Sequence, residues 1–199
     1  MNFTPKELDF VNNQDFLITK RALIDKIYHE FGNIGRSLQK QLVIDDQLIS
    51  ESFIERPGKI SRGENYHGLP YLMLDFPRNF RPESTLAYRL MFWWGNFFSA
   101  TLQLSGSVLE QNQNQLVKHI DKLRDKDIFF CVNSSPWEYH LNENNYLHFD
   151  EININQILKQ VKTHKFVKLN KILPLERASD LESFAIETFK DYLRILRRS

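Results

Sequence analysis

The spacing of apolar positions changes twice along the chain. From residue 16 to 31 they recur at helical intervals, with Phe16, Leu17, Leu23, Ile24, Ile27, Tyr28 and Phe31 on one stripe. Ahead of them, Thr4-Pro5-Lys6-Glu7 is a capping box with proline at the first helical position, which predicts a short helix. Gly32 and Gly35 can break or kink the longer helix. Leu38, Leu42, Val43 and Leu48 predict another, ending before Pro57-Gly58. From residue 60 the period shortens to two, and Tyr71, Met73 and Asp75 alternate with Leu72, Leu74 and Phe76. A proline-containing loop is expected over 77–82. Two strands, 86–94 and 97–104, are expected about Gly95-Asn96. In the second, Phe98, Ala100, Leu102 and Leu104 alternate with Ser99, Thr101 and Gln103, the pattern of a strand with one wet face.

Helical spacing then returns. Ser107 and Glu110 read as a capping box ahead of a stripe of Leu109, Leu116, Val117, Ile120 and Leu123. The continuous apolar run 128–132 predicts an interior strand, and 133–151 is long, polar, aromatic and without clear period. A helix over 154–161 and a strand over 166–173 follow. Ser179 and Glu182 suggest a third capping box, opening a helix with Leu181, Phe184, Ala185, Phe189, Tyr192, Leu193 and Leu196 on one face. Arg194, Arg197 and Arg198 suit its C-terminal dipole. Strands cluster in the middle and helices at both ends, which predicts an α+β fold: a central, mainly antiparallel sheet with helices from both chain ends packed on it. With no linker, one domain spans 1–199. It comprises a helical segment 1–50, antiparallel strands 59–105, a helix 107–125, a mixed region 127–173 and a C-terminal helix 179–197.

Composition narrows the classes. At 199 residues, with 42% hydrophobic and 26% charged, the chain can bury a full core. One cysteine excludes an internal disulfide and a cysteine-based zinc cluster. The net charge of +1 gives no global attraction to nucleic acid, so no nucleic-acid partner is expected. The one locally basic run, Lys159, Lys162, Lys165, Lys168 and Lys171, crosses a helix-to-strand junction, so its charges need not share a face. No membrane partner is expected either: the apolar stretch 91–109 is interrupted by Asn96, Ser99, Thr101 and Gln103 and reads better as a hairpin. The N-terminus lacks the pattern of a secretory signal, and a lone cysteine suits a reducing compartment, so the expected location is cytoplasmic.

No phosphate loop, dinucleotide glycine fingerprint, nucleophile elbow or zincin helix occurs, and no cofactor is expected. The candidate chemistry lies in two polar-aromatic segments. In Glu64-Asn65-Tyr66-His67-Gly68, His67 could exchange protons near neutral pH, although the same residues suit an ordinary turn. In 134–151, Trp137, Tyr139 and Tyr146 could wall a pocket, with Glu138, His140 and His148 as polar contacts; the alternative is an ordered loop plugging the sheet end. A metal reading would draw on His140, His148 and Asp150. Their spacing matches no zinc or iron pattern, so no metal is expected. Arg78 and Arg81 could fork onto a carboxylate or phosphate, or merely pair with Asp75 or Glu83 at the surface. Arg89, inside an apolar strand, needs solvent or a buried acid. Cys131, in an apolar run, is expected to be buried and inert.

The leading expectation is a small-molecule-binding domain, its pocket built at the sheet end from Tyr66, His67, Trp137, Tyr139 and His140. This requires the two segments to meet in space. One alternative is a hydrolase- or isomerase-like enzyme with a histidine general base in the same pocket. Another is an interaction protein, a homodimer through an aromatic sheet face around Trp93 and Trp94.

Overall fold

A computed structural model describes residues 1–44, 58–81 and 83–196. Seven strands form one antiparallel sheet: β1 (Lys59–Tyr66), β2 (Leu69–Arg81), β3 (Ser84–Trp93), β4 (Phe97–Ser105), β5 (Phe129–Cys131), β6 (Tyr146–His148) and β7 (Phe166–Pro174). Their order is β1-β2-β3-β4-β7-β5-β6. The helices are α1 (Pro5–Asn12), α2 (Gln14–Ile44), α3 (Gly106–His119), α4 (Ile154–Thr163) and α5 (Leu181–Leu196). The expected α+β architecture is therefore the observed one.

Strand alternation sorts the sheet into two faces. On the first, Leu72, Leu74, Leu86, Tyr88, Leu90, Phe98, Ala100, Leu102, Val167 and Leu169 are buried under α2, α3, α4 and α5. Two buried tyrosines satisfy their hydroxyls by donating to backbone carbonyls across this interface, Tyr88 to Ala185 (2.7 Å) and Tyr192 to Ala100 (3.2 Å). Phe31, Ile34, Leu38 and Leu42 seat the second half of α2 here, whereas α1 and the first turns of α2 are exposed.

Several local expectations change. Gly32 and Gly35 do not divide α2, which runs unbroken through both. The expected loop at 77–82 is strand as far as Arg81: β2 continues past a cis Phe76–Pro77 bond, with a bulge between Asp75 and Arg78 absorbing the irregularity. The capping box at Thr4 and Glu7 forms. That at Ser107 does not, because Ser105 is the N-cap of α3 and makes no side-chain bond. Ser179 lies within a 3-10 turn over 175–180 that leads into α5. Leu48, Pro57, Pro82, Arg197, Arg198 and the side chain of Val43 lie outside the described residues. Among the described residues no helix is long and apolar enough to cross a membrane.

The second face departs furthest from expectation. Ser99, Thr101 and Gln103 of β4 are buried, not wet. The irregular chain between β5 and β6 lies over this face and closes it with Tyr139, which packs on Met73, Met91 and Trp93.

Candidate functional site

Three anchors tie the covering segment 136–140 to the sheet. Lys168, fully buried on β7, donates from Nζ to the carbonyls of Pro136 (2.8 Å) and Glu138 (2.6 Å), with the Tyr139 ring 3.9 Å away. Burial pushes its pKa down to about 7. Arg89 on β3 pairs with Asp75 on β2 through two bonds, 2.6 and 3.0 Å, and also donates to the Tyr139 hydroxyl. Asp75 is thus the buried acid that Arg89 needs. Burial pushes Tyr139 up to about 12, so it stays a neutral acceptor for the guanidinium. The third anchor is Tyr66, whose hydroxyl oxygen accepts from the backbone N–H of Tyr139 (2.6 Å) and of His140 (3.1 Å).

The two sequence segments therefore meet, although Tyr66 and Glu138 stand 72 positions apart. Tyr66, His67, Tyr139 and His140 form one cluster, with the His67 and His140 rings 4.6 Å apart and the Tyr66 and Tyr139 rings 5.9 Å apart. Glu138 belongs with them. One of its carboxylate oxygens lies 3.3 Å from His140 Nδ1, 3.6 Å from His67 Nε2 and 3.2 Å from the Tyr66 hydroxyl. With two backbone donors already on its oxygen, Tyr66 must send its own proton to Glu138 or to His140 Nδ1, which is 3.1 Å away. Burial raises the Tyr66 pKa, so that proton stays in place at neutral pH.

His67 reaches this cluster from the two-residue turn between β1 and β2, where Tyr66 pairs with Leu69. Both turn residues have positive φ, 50° at His67 and 78° at Gly68, as the tight turns that suit hairpin twist require. Asparagine or glycine fills such a position at less steric cost than histidine.

Trp137 does not join them. It sits by Phe80, ring centroids 6.3 Å apart, at the far end of the covering segment. There Lys59, Ser61, Asp75, Arg78, Phe80, Arg89 and Trp137 line an open cleft of roughly 310 Å³. The Arg78 and Arg81 pair is divided: Arg78 pairs with Ala87 and Arg81 with Ser84, so alternation sends them to opposite faces and only Arg78 lines the cleft. His148 is apart as well, between Asp127 (3.2 Å) and Asp150 (3.7 Å). Trp93 is buried under the covering segment and Trp94 packs against the helix-covered core, so neither lies on an open sheet face. Cys131 is buried, and burial raises its thiol pKa. Lys168 sits at the centre of all this, although along the sequence it stands only as one member of a locally basic run. Its position between Val167 and Leu169 in an apolar strand was the available signal, the same signal that marked Arg89.

Compared with protein-family models, with curated protein sequences and with solved structures, the chain shows no match.

Proposed function

We propose that this chain is a small-molecule-binding domain whose ligand enters the cleft beside Trp137. The ligand class is a flat apolar group bearing one carboxylate or phosphate. The observation that carries this reading is the meeting of Arg78 and Lys59 with Trp137, which is 53% exposed, around one cleft. Among the described residues neither cation makes an ion pair, so both remain available to an anion. Trp137 and Phe80 offer flat faces, and Ser61 a hydroxyl. The floor is already neutralised, because Asp75 is held by Arg89. A volume near 310 Å³ suits a ligand at the small end of the usual range. A reducing, cytoplasmic setting fits the lone buried thiol.

A second reading, an enzyme of hydrolytic or isomerising type, is favoured by a separate observation. His140 Nδ1 lies 3.3 Å from Glu138, an oriented base, while His67 next to it is open to solvent.

The binding reading is tested by titrating the full chain with phenyl phosphate, benzoate and benzyl alcohol, read by tryptophan emission and by NMR. Saturable changes with the two anions but not the alcohol are expected, with affinity falling roughly tenfold in Arg78→Gln. No response to either anion, or an unchanged response in Arg78→Gln, overturns it.

A further inference from the structure

The cluster at the hairpin end has a property that neither ligand recognition in the cleft nor simple acid–base chemistry requires. Three donors of the kinds that bind transition metals converge there. His67 Nε2, His140 Nδ1 and a Glu138 carboxylate oxygen all lie within 4.8 Å of one another. Two of the separations are 3.3 and 3.6 Å. Bonds of about 2.0–2.2 Å in a tetrahedron place ligand atoms roughly 3.3–3.6 Å apart. Two of the three pairs therefore already stand at the spacing an ion would impose, and the third lies within 4.8 Å.

We propose that His67, Glu138 and His140 bind one divalent transition-metal ion, with zinc the best fit to two imidazoles and a carboxylate. Three protein donors leave at least one coordination position open. Solvent reaches the donors, since the His67 side chain is 52% exposed and that of Glu138 37%, and the open position would take water or an oxygen-donor ligand.

Two features outside the donor set support this. The first is that the donors are held. Glu138 is fixed at its carbonyl by Lys168, Tyr139 by Arg89, and the backbone of Tyr139 and His140 by the Tyr66 oxygen, so two of the three ligands sit on an irregular segment pinned at three points. Metal on His140 Nδ1 leaves Glu138 as the acceptor for the Tyr66 proton. A hydrogen bond to a ligating carboxylate is the usual outer support of such a site. The second is the turn, which places a histidine at positive φ where asparagine would cost less. The other histidine-acid group does not compete. In His148 the two ring nitrogens face different acids, Nε2 toward Asp127 and Nδ1 toward Asp150, so its donors do not converge on one point.

The metal site stands apart from the cleft, uses different residues and is read by different probes. The test uses the full chain after treatment with a chelator. Zn²⁺ is titrated calorimetrically, and Co²⁺ is followed by visible d–d absorption, whose intensity reports four-coordinate binding whether or not any activity exists. One equivalent should bind, with His67→Asn, Glu138→Gln and His140→Gln each weakening it at least about tenfold. His67→Asn is the decisive variant, because asparagine suits the turn and should leave the fold intact, as circular dichroism will show. His148→Asn should change nothing. Absence of saturable binding in the unaltered chain overturns the proposal. So does binding that survives His67→Asn, or binding that His148→Asn abolishes. Unaltered metal binding alongside a failed anion titration would sink the cleft and spare this site.

Discussion

The two faces of the sheet are closed by different kinds of chain. The first lies under four helices and is lined with leucine, phenylalanine and alanine. The second lies under an irregular segment and carries Asp75, Arg89, Ser99, Thr101, Gln103, Lys168 and Asn170, all buried or nearly so. A helix satisfies its own backbone hydrogen bonds and asks only for apolar contact. Irregular chain does not, and its buried carbonyls and N–H groups need partners from elsewhere. Lys168 supplies two carbonyls, Asn145 caps that of His140 (2.6 Å), and the Tyr66 oxygen receives two N–H groups. The buried polarity of the second face thus follows from what covers it. The same requirement brings carboxylate, imidazole and phenol together at one end.

The strongest way to break this comparison is the Asp75–Arg89 pair. Removing one partner by Asp75→Ala strands a buried guanidinium and should cost about 3–5 kcal/mol in urea unfolding. Replacing both, Asp75→Leu with Arg89→Met, should recover most of that loss, because an apolar pair asks for no solvation. If the single change costs under about 1 kcal/mol, the pair is screened by solvent as a surface pair would be, and the second face is wet after all.

The helix-covered face was legible in the sequence because periodicity reports burial against an apolar neighbour. The strands about Gly95 and the stripe of α5 emerge where expected. The second face is not legible in this way, because alternating serine, threonine and glutamine look alike whether they meet water or a polar loop. Charged residues within apolar strands were the exception. Arg89 stands out on that ground, whereas Lys168 is submerged in a run of lysines, most of them on the outside. Local character groups Tyr66, His67, Tyr139 and His140 in one site, and the structure brings them together. For Glu138 it suggests only a polar contact, because nothing local shows which of its neighbours it faces. Closeness in sequence puts Trp137 in the same pocket, but a turn at 136–137 carries it to the cleft by Phe80.

A smaller effect should come from pH. Lys168, with its pKa near 7 when folded, binds its proton more weakly than in the unfolded chain. Its contribution is therefore fully present above the unfolded value near 10.4 and lost as pH falls toward 7. Stability should rise by on the order of 2 kcal/mol between pH 7 and 9. Above pH 10 the sign reverses, since burial raises Tyr139 and Tyr146 and the unfolded tyrosines ionise first. Arg89, Glu138 and Cys131 face the same amine and shape its titration. Lys168→Met should flatten the rise between pH 7 and 9, read from the slope of stability against pH, since the change also removes two donors. A slope unchanged by Lys168→Met would assign the pH dependence to other groups.

The smallest expected effect separates polar groups that bond on the second face from those that do not. Thr101 donates to Asn170 Oδ1 at 3.1 Å, whereas Ser99 Oγ, equally buried, has no hydrogen-bond partner among the described residues. A buried hydroxyl without a partner retains its desolvation cost and gains nothing against it. Ser99→Ala should thus be neutral or stabilising by up to about 1 kcal/mol, and Thr101→Val destabilising by about the same amount. The two positions are neighbours on one strand and one face and are equally buried, and Thr→Val keeps the β-branched shape, so the cost at Thr101 reads chiefly the lost bond. If both substitutions cost alike, the polarity of this face is serving solvent that reaches the sheet beneath Tyr139, and the loop closes it less completely than the helices close the other side.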